Sequence, residues 1–308
     1  MGDPKLVGGY HVKSNMTICA QIRLTAVSVV LMTIHLAKAA GPVPPTDVNL
    51  KAHRMLDAWR GRLNAAGFKY LVASPFVIAG NGGVVGLAGY RDGTILGAAK
   101  ALRRTYLDSD LDEPVLIVLV ESNQPYRRVA KEWFREEDPP HFGFYRPGDR
   151  VMLMNVSTGT GTLVHELTHA LLAKDFPEVP SWFNEGFASL FEQCSLAGGD
   201  IRGMVNWRLP ALQAAIRGRT LRPLKELMKD PDFYGKEHVG VNYAQARYLM
   251  FYLQEKNLLG KYYREFRGHV SDDRTGIESL ERVIGAGTMD AFEREWKQWV
   301  MALRFQPK

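Results

Sequence analysis

Cysteine is almost missing from this chain: two among 308 residues, Cys19 and Cys194, too few for a disulfide-stapled scaffold. Internal repeats and low-complexity tracts are missing too, and the composition is neither collagen-like nor disordered. Lys and Arg are scattered, with no basic stripe interleaved with aromatics, so nucleic acid is not an expected partner. The stretch most like a membrane span, Leu24 to Ala37, is uncharged but has only 14 residues. As a helix it would rise about 21 Å against a hydrocarbon core of roughly 30 Å. What is present, 46% hydrophobic and 23% charged residues, is enough for a sizeable globular core.

Arg23 precedes that apolar stretch, and Ala37-Lys38-Ala39 follows it before Ala40. A basic flank, a short apolar run and a small-residue site fit a secretory signal covering residues 1–39 and cleaved after Ala39. The expected protein is therefore exported, periplasmic or secreted; the alternative is an uncleaved anchor with residues 40–308 outside the membrane. The fifteen residues before Met16 are long for such a signal, which makes Met16 an alternative start. Cleavage removes Lys5, Lys13, Arg23 and Lys38 against Asp3 alone, lowering the net charge from +6 to +3. It also removes Cys19, leaving Cys194 in an apolar helical pattern that reads as a buried, inert thiol.

Along the rest of the chain, Thr46 or Asp47 can cap a helix whose apolar positions include Leu56, Trp59 and Leu63. Strand-like runs cover Tyr70 to Ala79 and Val84 to Tyr90, joined by the turn signal Gly80-Asn81-Gly82-Gly83. A helix from about Thr94 to Leu107, a strand from Pro114 to Val120, a helix near Tyr126 to Glu136 and a strand from Val151 to Asn155 follow. After Gly159 the pattern is helical up to a last helix near Met289 to Leu303. Strands mixed with helices and then helices alone predict an α+β fold. Its mixed lobe spans about residues 46–175 and its helical lobe about 176–308.

Just past Gly159, where the pattern turns helical, stands Gly161-Thr162-Leu163-Val164-His165-Glu166-Leu167-Thr168-His169-Ala170-Leu171-Leu172. On a helix, His165 and His169 lie about 40° apart and one turn along, so both imidazoles can reach one metal ion. Glu166 is offset by about 100°, out of the ligand set but beside the position where water would sit, where a carboxylate can act as general base. A third ligand leaves one position open, and two residues compete for it. Asp175 would need the helix to break near Leu172, where no glycine stands; if the helix continues, Asp175 rotates away. Glu185 fits better: Phe176-Pro177-Glu178-Val179-Pro180 turns the chain, Ser181 can cap a second helix from Trp182 to Phe191, and Glu185 falls on its first turns.

His165-Glu166-Leu167-Thr168-His169 followed by Pro180-Ser181-Trp182-Phe183-Asn184-Glu185-Gly186-Phe187-Ala188 resembles the gluzincin metallopeptidases of the aminopeptidase and thermolysin-like clan. The close match runs from Thr160 to Phe191, with a looser one from Val115 to about Tyr248. The resemblance implies a zincin-like, two-lobed fold with one zinc ion between the lobes. It implies His165, His169 and Glu185 as its ligands, and Glu166 as the general base. It also implies a later Tyr or His that stabilises the oxyanion: Tyr243, with His238 as the competing residue, while Thr168 and Asn184 are candidates to support the ligands. In the family an edge strand before the metal helix binds extended peptide, a place that Val151 to Asn155 would take. Aminopeptidases of the clan hold the substrate amine with the Glu of Gly-x-Met-Glu-Asn, a segment this chain lacks, so an endopeptidase or an untypical specificity is expected.

The function expected is hydrolysis of a peptide or protein by a zinc metallopeptidase. Two alternatives keep the site: a zinc amidase acting on cell-wall peptides, and a metal-stabilised binding protein without turnover. The membrane is a partner only if the N-terminal segment stays uncleaved, and oligomeric state is open.

Overall fold

Helix α1 (Asp47–Ala65) opens the described part of the computed structural model, which covers residues 47–285 and 287–306. The signal reading of residues 1–39 lies outside the described residues. Among those described, no helix is long and apolar enough to cross a membrane.

After α1 come β1 (Lys69–Ala73), β2 (Phe76–Gly80), α2 (Gly83–Tyr90), a π-helical turn (Arg91–Ile95), α3 (Leu96–Thr105) and β3 (Val115–Val120). Then follow α4 (Asn123–Phe134), β4 (Gly143–Arg146), β5 (Val151–Asn155) and α5 (Gly161–Asp175). The remainder is α6 (Ser181–Leu190), the hairpin β6 (Cys194–Ala197) and β7 (Asp200–Gly203), α7 (Leu209–Arg217) and α8 (Leu224–Lys229). It closes with α9 (Val239–Glu255), α10 (Leu259–His269), α11 (Ile277–Ile284) and α12 (Met289–Ala302).

Five strands form one mixed sheet in the order β1-β2-β3-β5-β4, with β2, β3 and β5 parallel and the outer two antiparallel to their neighbours. Interior parallel strands are covered on both faces, which is why β2, β3 and β5 read as unbroken apolar runs rather than alternating ones. Successive side chains of β3 still divide between two cores. Leu116, Val118 and Val120 pack with Leu56 and Leu63 of α1 and Tyr126 and Val129 of α4. Val115, Ile117 and Leu119 join the larger core that holds α3, α5, α6 and α9. The mixed α and β composition agrees with the α+β expectation.

Three local expectations fail. The run Tyr70 to Ala79 is not one strand: it turns at Ser74-Pro75, so that Ala73 pairs with Phe76 and β1 and β2 form the hairpin within it. With β1 and β3 on its two sides, β2 has no edge left for Val84 to Tyr90, which forms α2 instead. A short apolar run does not by itself separate strand from helix. Beyond Gly159 the helices are interrupted by β6 and β7, whose turn residues Gly198 and Gly199 have φ of 61° and 83°, as a tight hairpin turn requires. Cys194 therefore starts a strand rather than lying in a helix; its thiol is half-buried, and burial pushes its pKa up to about 11.

Two packing contacts set up the site. α6 crosses α9 so closely that a Cβ on Gly186 would lie 2.9 Å from the Cβ of Ala246. Arg247, fully buried on the same helix, gives Nε to the carbonyl of Ser189 at 2.9 Å and Nη2 to those of Leu190 and Met204, holding the last turn of α6. Its buried guanidinium has its pKa lowered to about 10.

Candidate metal centre

α5 continues unbroken to Asp175, and α6 returns after Pro177 and Pro180, beginning at Ser181 without a side-chain cap bond. His165 and His169 on α5 and Glu185 on α6 converge as expected, and the three are a buried group that could hold a metal ion. The two Nε2 atoms lie 3.0 Å apart, and Glu185 Oε2 lies 3.3 Å from the first and 3.4 Å from the second. Ligands held at about 2.0 to 2.1 Å around a tetrahedral ion are themselves about 3.3 Å apart, so the triangle fits one. Glu185 Oε2 is moreover buried without an aligned hydrogen bond, an acceptor that a cation would satisfy.

Charge favours a cation here. Burial opposes a charge on His165, but the contact with Glu185 and the carboxylates of Glu166, Glu185 and Glu192 outweigh it and raise its pKa to about 9. Burial alone would likewise raise the Glu185 carboxyl, yet the two imidazoles beside it hold it well below the usual carboxylate range.

Each of the three has a polar neighbour behind it, at hydrogen-bond distance for His169 and Glu185 and just beyond it for His165. His169 Nδ1 pairs with Asn184 Oδ1 at 3.0 Å, as Asn184 was placed to do. Thr168 does not join in: its hydroxyl donates to the Val164 carbonyl within its own helix at 2.7 Å. His165 Nδ1 faces Glu192 Oε1 at 3.5 Å, and Glu192 is held by Arg208 through bonds of 2.9 and 2.6 Å and by Asn206 at 3.1 Å. Tyr234 donates its phenol to Glu185 Oε1 at 2.8 Å. Glu192, Arg208 and Tyr234 are absent from the sequence-based set. Glu192 lies two residues past the end of α6, in the tight turn that closes it, where helical phase no longer applies. Arg208 and Tyr234 arrive through tertiary folding alone.

A cleft of two connected chambers opens over the cluster. The first, about 590 Å³, is lined by His165, Glu166, His169, Glu185, Tyr234 and Tyr243, with Gly143 to Tyr145 along one side. The second, about 310 Å³, shares His165, Glu166, Gly143 and Tyr243 with it and adds Phe142, Trp207 and Arg208. Tyr243 therefore faces the cleft, with Arg208 stacked 5.0 Å from its ring centroid. Burial first, and then the negative charge of Glu185, raise the pKa values of Tyr243 and Tyr234, so both phenols stay protonated donors. His238 is exposed just before α9 and lines neither chamber.

The strand beside the cleft differs from expectation. Val151 to Asn155 is β5, paired on both sides by β3 and β4, and has no edge to offer. β4 is the edge strand, its approach held by the Tyr126 phenol on the Pro140 carbonyl at 2.5 Å. Because the Phe142 carbonyl accepts from the Asn155 N–H, the alternation of an antiparallel pair turns the peptide groups of Gly143 and Tyr145 toward the open side. Asp175 lies away from the cluster, as an unbroken α5 requires. Its carboxylate accepts from Tyr263 at 2.6 Å, Arg267 at 2.7 Å and the N–H groups of Asp108 and Ser109 at 2.9 and 2.5 Å.

No known family model matches the chain, and a search of the curated proteins finds no match.

Proposed function

We propose that the chain is a gluzincin-type zinc metallopeptidase, exported, that cuts peptide or protein substrates at internal bonds. The observation that carries the reading is the triangle of His165 Nε2, His169 Nε2 and Glu185 Oε2, 3.0 to 3.4 Å on a side, with Glu166 on the same cleft wall. One zinc ion held by these three residues would supply the Lewis acid that polarises a carbonyl and acidifies a water. Glu166 takes the proton of the attacking water and returns it to the leaving amine. Tyr243 donates a hydrogen bond to the carbonyl oxygen as negative charge builds on it. Tyr234 keeps Glu185 oriented, as Asn184 and Glu192 keep the two imidazoles.

The free edge of β4 suits an extended peptide added as a further strand, main chain to main chain. Two chambers that both reach Glu166 leave room for more than one substrate residue, which supports an endopeptidase. The reading includes a zincin-like division into a sheet-bearing lobe and a helical lobe. Export rests on the Leu24 to Ala37 segment and the Ala37-Lys38-Ala39 site.

The test combines metal analysis with profiling on proteome-derived peptides. About one zinc per chain is expected, with cleavage by the wild type and a loss of about 10²- to 10⁴-fold in Glu166→Gln. Protein without near-stoichiometric zinc, or full proteolysis by the variant, overturns the reading. Hydrolysis of cell-wall glycopeptides with no cleavage of ordinary peptides would transfer the same site to an amidase.

A further inference from the structure

Tyr234 reaches Glu185 Oε1 with its phenol although the residue is 51% exposed, so packing on the ring itself does little to hold it there. It lies between α8 and α9, in residues 230–238, where the backbone bonds close short turns: Gly235 donates to the Asp232 carbonyl, and His238 and Val239 to that of Gly235. Two ties fasten this segment to residues outside it. Arg222 Nη1 grips Asp230 Oδ2 at 2.5 Å, four residues before Tyr234. The second tie is closer: Asn242 Nδ2 donates at 2.8 Å to the Phe233 carbonyl, which belongs to the peptide unit that joins Phe233 to Tyr234.

A carbonyl only accepts, so the amide nitrogen of Asn242 is the end that faces it. Asn242 is 1% exposed, and the bond is buried; with water kept out, no other donor takes over when the amide is removed. It lines neither chamber, so it meets no substrate itself. Its neighbour in α9 is Tyr243, and the fully buried Phe233 ring packs 5.3 Å from Tyr243 and 5.4 Å from Tyr234. One amide and one ring thus join the exposed phenol to the start of α9, the helix packed closely on the one that carries Glu185.

The two oxygens of Glu185 do different work. Oε2 faces both imidazoles, while Oε1 takes the hydrogen bond from Tyr234. A phenol displaced from Oε1 would leave the carboxylate free to turn. Resting on the zinc reading of the site, we infer that Asn242 is a positioning residue: it fixes the peptide of Tyr234 and, through that phenol, the oxygen that Glu185 offers to a metal ion.

The experiment measures the zinc affinity of full-length protein by competition against a chelator, with Asn242 and Tyr234 changed singly and together. Asn242→Asp keeps the shape but sets a carboxylate oxygen against the carbonyl, and Asn242→Ala removes the donor outright. Each should weaken zinc binding by about tenfold, and so should Tyr234→Phe, which keeps the ring and loses the hydroxyl. Adding either Asn242 change to Tyr234→Phe should cost less than about twofold more, because both act along one path. A merely structural role gives the opposite pattern, in which the losses multiply. Thermal melts check that each variant folds, and Asn242→Ser, small and neutral, replaces any that does not. Losses that multiply, full zinc affinity in the folded Asn242 variants, or full affinity in Tyr234→Phe overturns the inference while the zinc reading stands. Wild-type protein that binds no zinc overturns both.

Discussion

Glu192 Oε1 stands 3.5 Å behind the Nδ1 of His165, just beyond an aligned hydrogen bond, and Arg208 grips that carboxylate with two bonds, so the His165 imidazole faces a fixed acceptor from a residue seven positions beyond Glu185. Outer partners of this kind fix ring orientation and basicity. Glu192→Gln should therefore weaken zinc binding by about 10- to 100-fold, read by competition against a chelator. An unchanged zinc affinity in a folded variant would remove Glu192 from this role.

The metal-free chain should lose stability as pH rises. His165 has its folded pKa raised to about 9, above the ordinary value of 6.5, so its contribution is full below about pH 6.5 and fades as pH climbs through about 9. A metal ion bound at His165 would take the place of that proton, so a loaded chain should show no such decline. Thermal melts of both forms from pH 6 to pH 10 compare them directly.

Asp175 should govern the acid limb. Burial by itself would raise its pKa, yet Tyr263 and the N–H groups of Ser109 and Asp108 hold it below the usual range. A depressed pKa stabilises the fold above the unfolded value, about 3.9, and that stability is lost as pH falls through the folded one. Asp175→Asn removes the buried carboxylate that Arg267 and Tyr263 share, while Arg267 keeps Asp108, and should cost about 1 to 3 kcal/mol at pH 7, with a shallower acid transition in urea titrations.

Gly186 has no room for a methyl group. Gly186→Ala should destabilise by about 1 to 3 kcal/mol, since the new Cβ meets Ala246. Adding Ala246→Gly should restore part of the loss, because it removes the Cβ at 2.9 Å but not the backbone atoms at 3.0 Å. Denaturant melts of the two single variants and the double variant measure that coupling.

The two tyrosines should separate kinetically. On the peptidase reading, Tyr243→Phe removes the donor proposed for the developing charge and should lower kcat by about 10²-fold with little change in KM. Tyr234→Phe frees Glu185 Oε1 and should act on zinc affinity first. If Tyr234→Phe lowers kcat and spares zinc binding, the two roles are exchanged.

The metal cluster was legible because it is local. Helical periodicity brings His165 and His169 to one face, and Pro177 and Pro180 turn the chain so that Glu185 can return to them. What lay beyond local reach was tertiary: Tyr234 comes from the segment before α9, and Arg208 from the segment before α7. The hairpin β4 and β5 was readable as a hairpin, but its free edge depended on which strand paired with β3. The turn at Gly198-Gly199 carried a signal that the helical pattern on either side obscured.

Arg247 holds the end of α6 through carbonyl oxygens alone, with no counter-ion among its bonded partners. An anchor of that kind has no carboxylate to protonate in acid and no surface pair for salt to screen. The angular setting of α6, and with it the direction in which Glu185 points, is thereby insulated from the chemistry of the surrounding fluid. The aim of the Glu185 carboxylate would accordingly hold steady through swings of acidity and ionic strength, although burial lowers the guanidinium pKa to about 10.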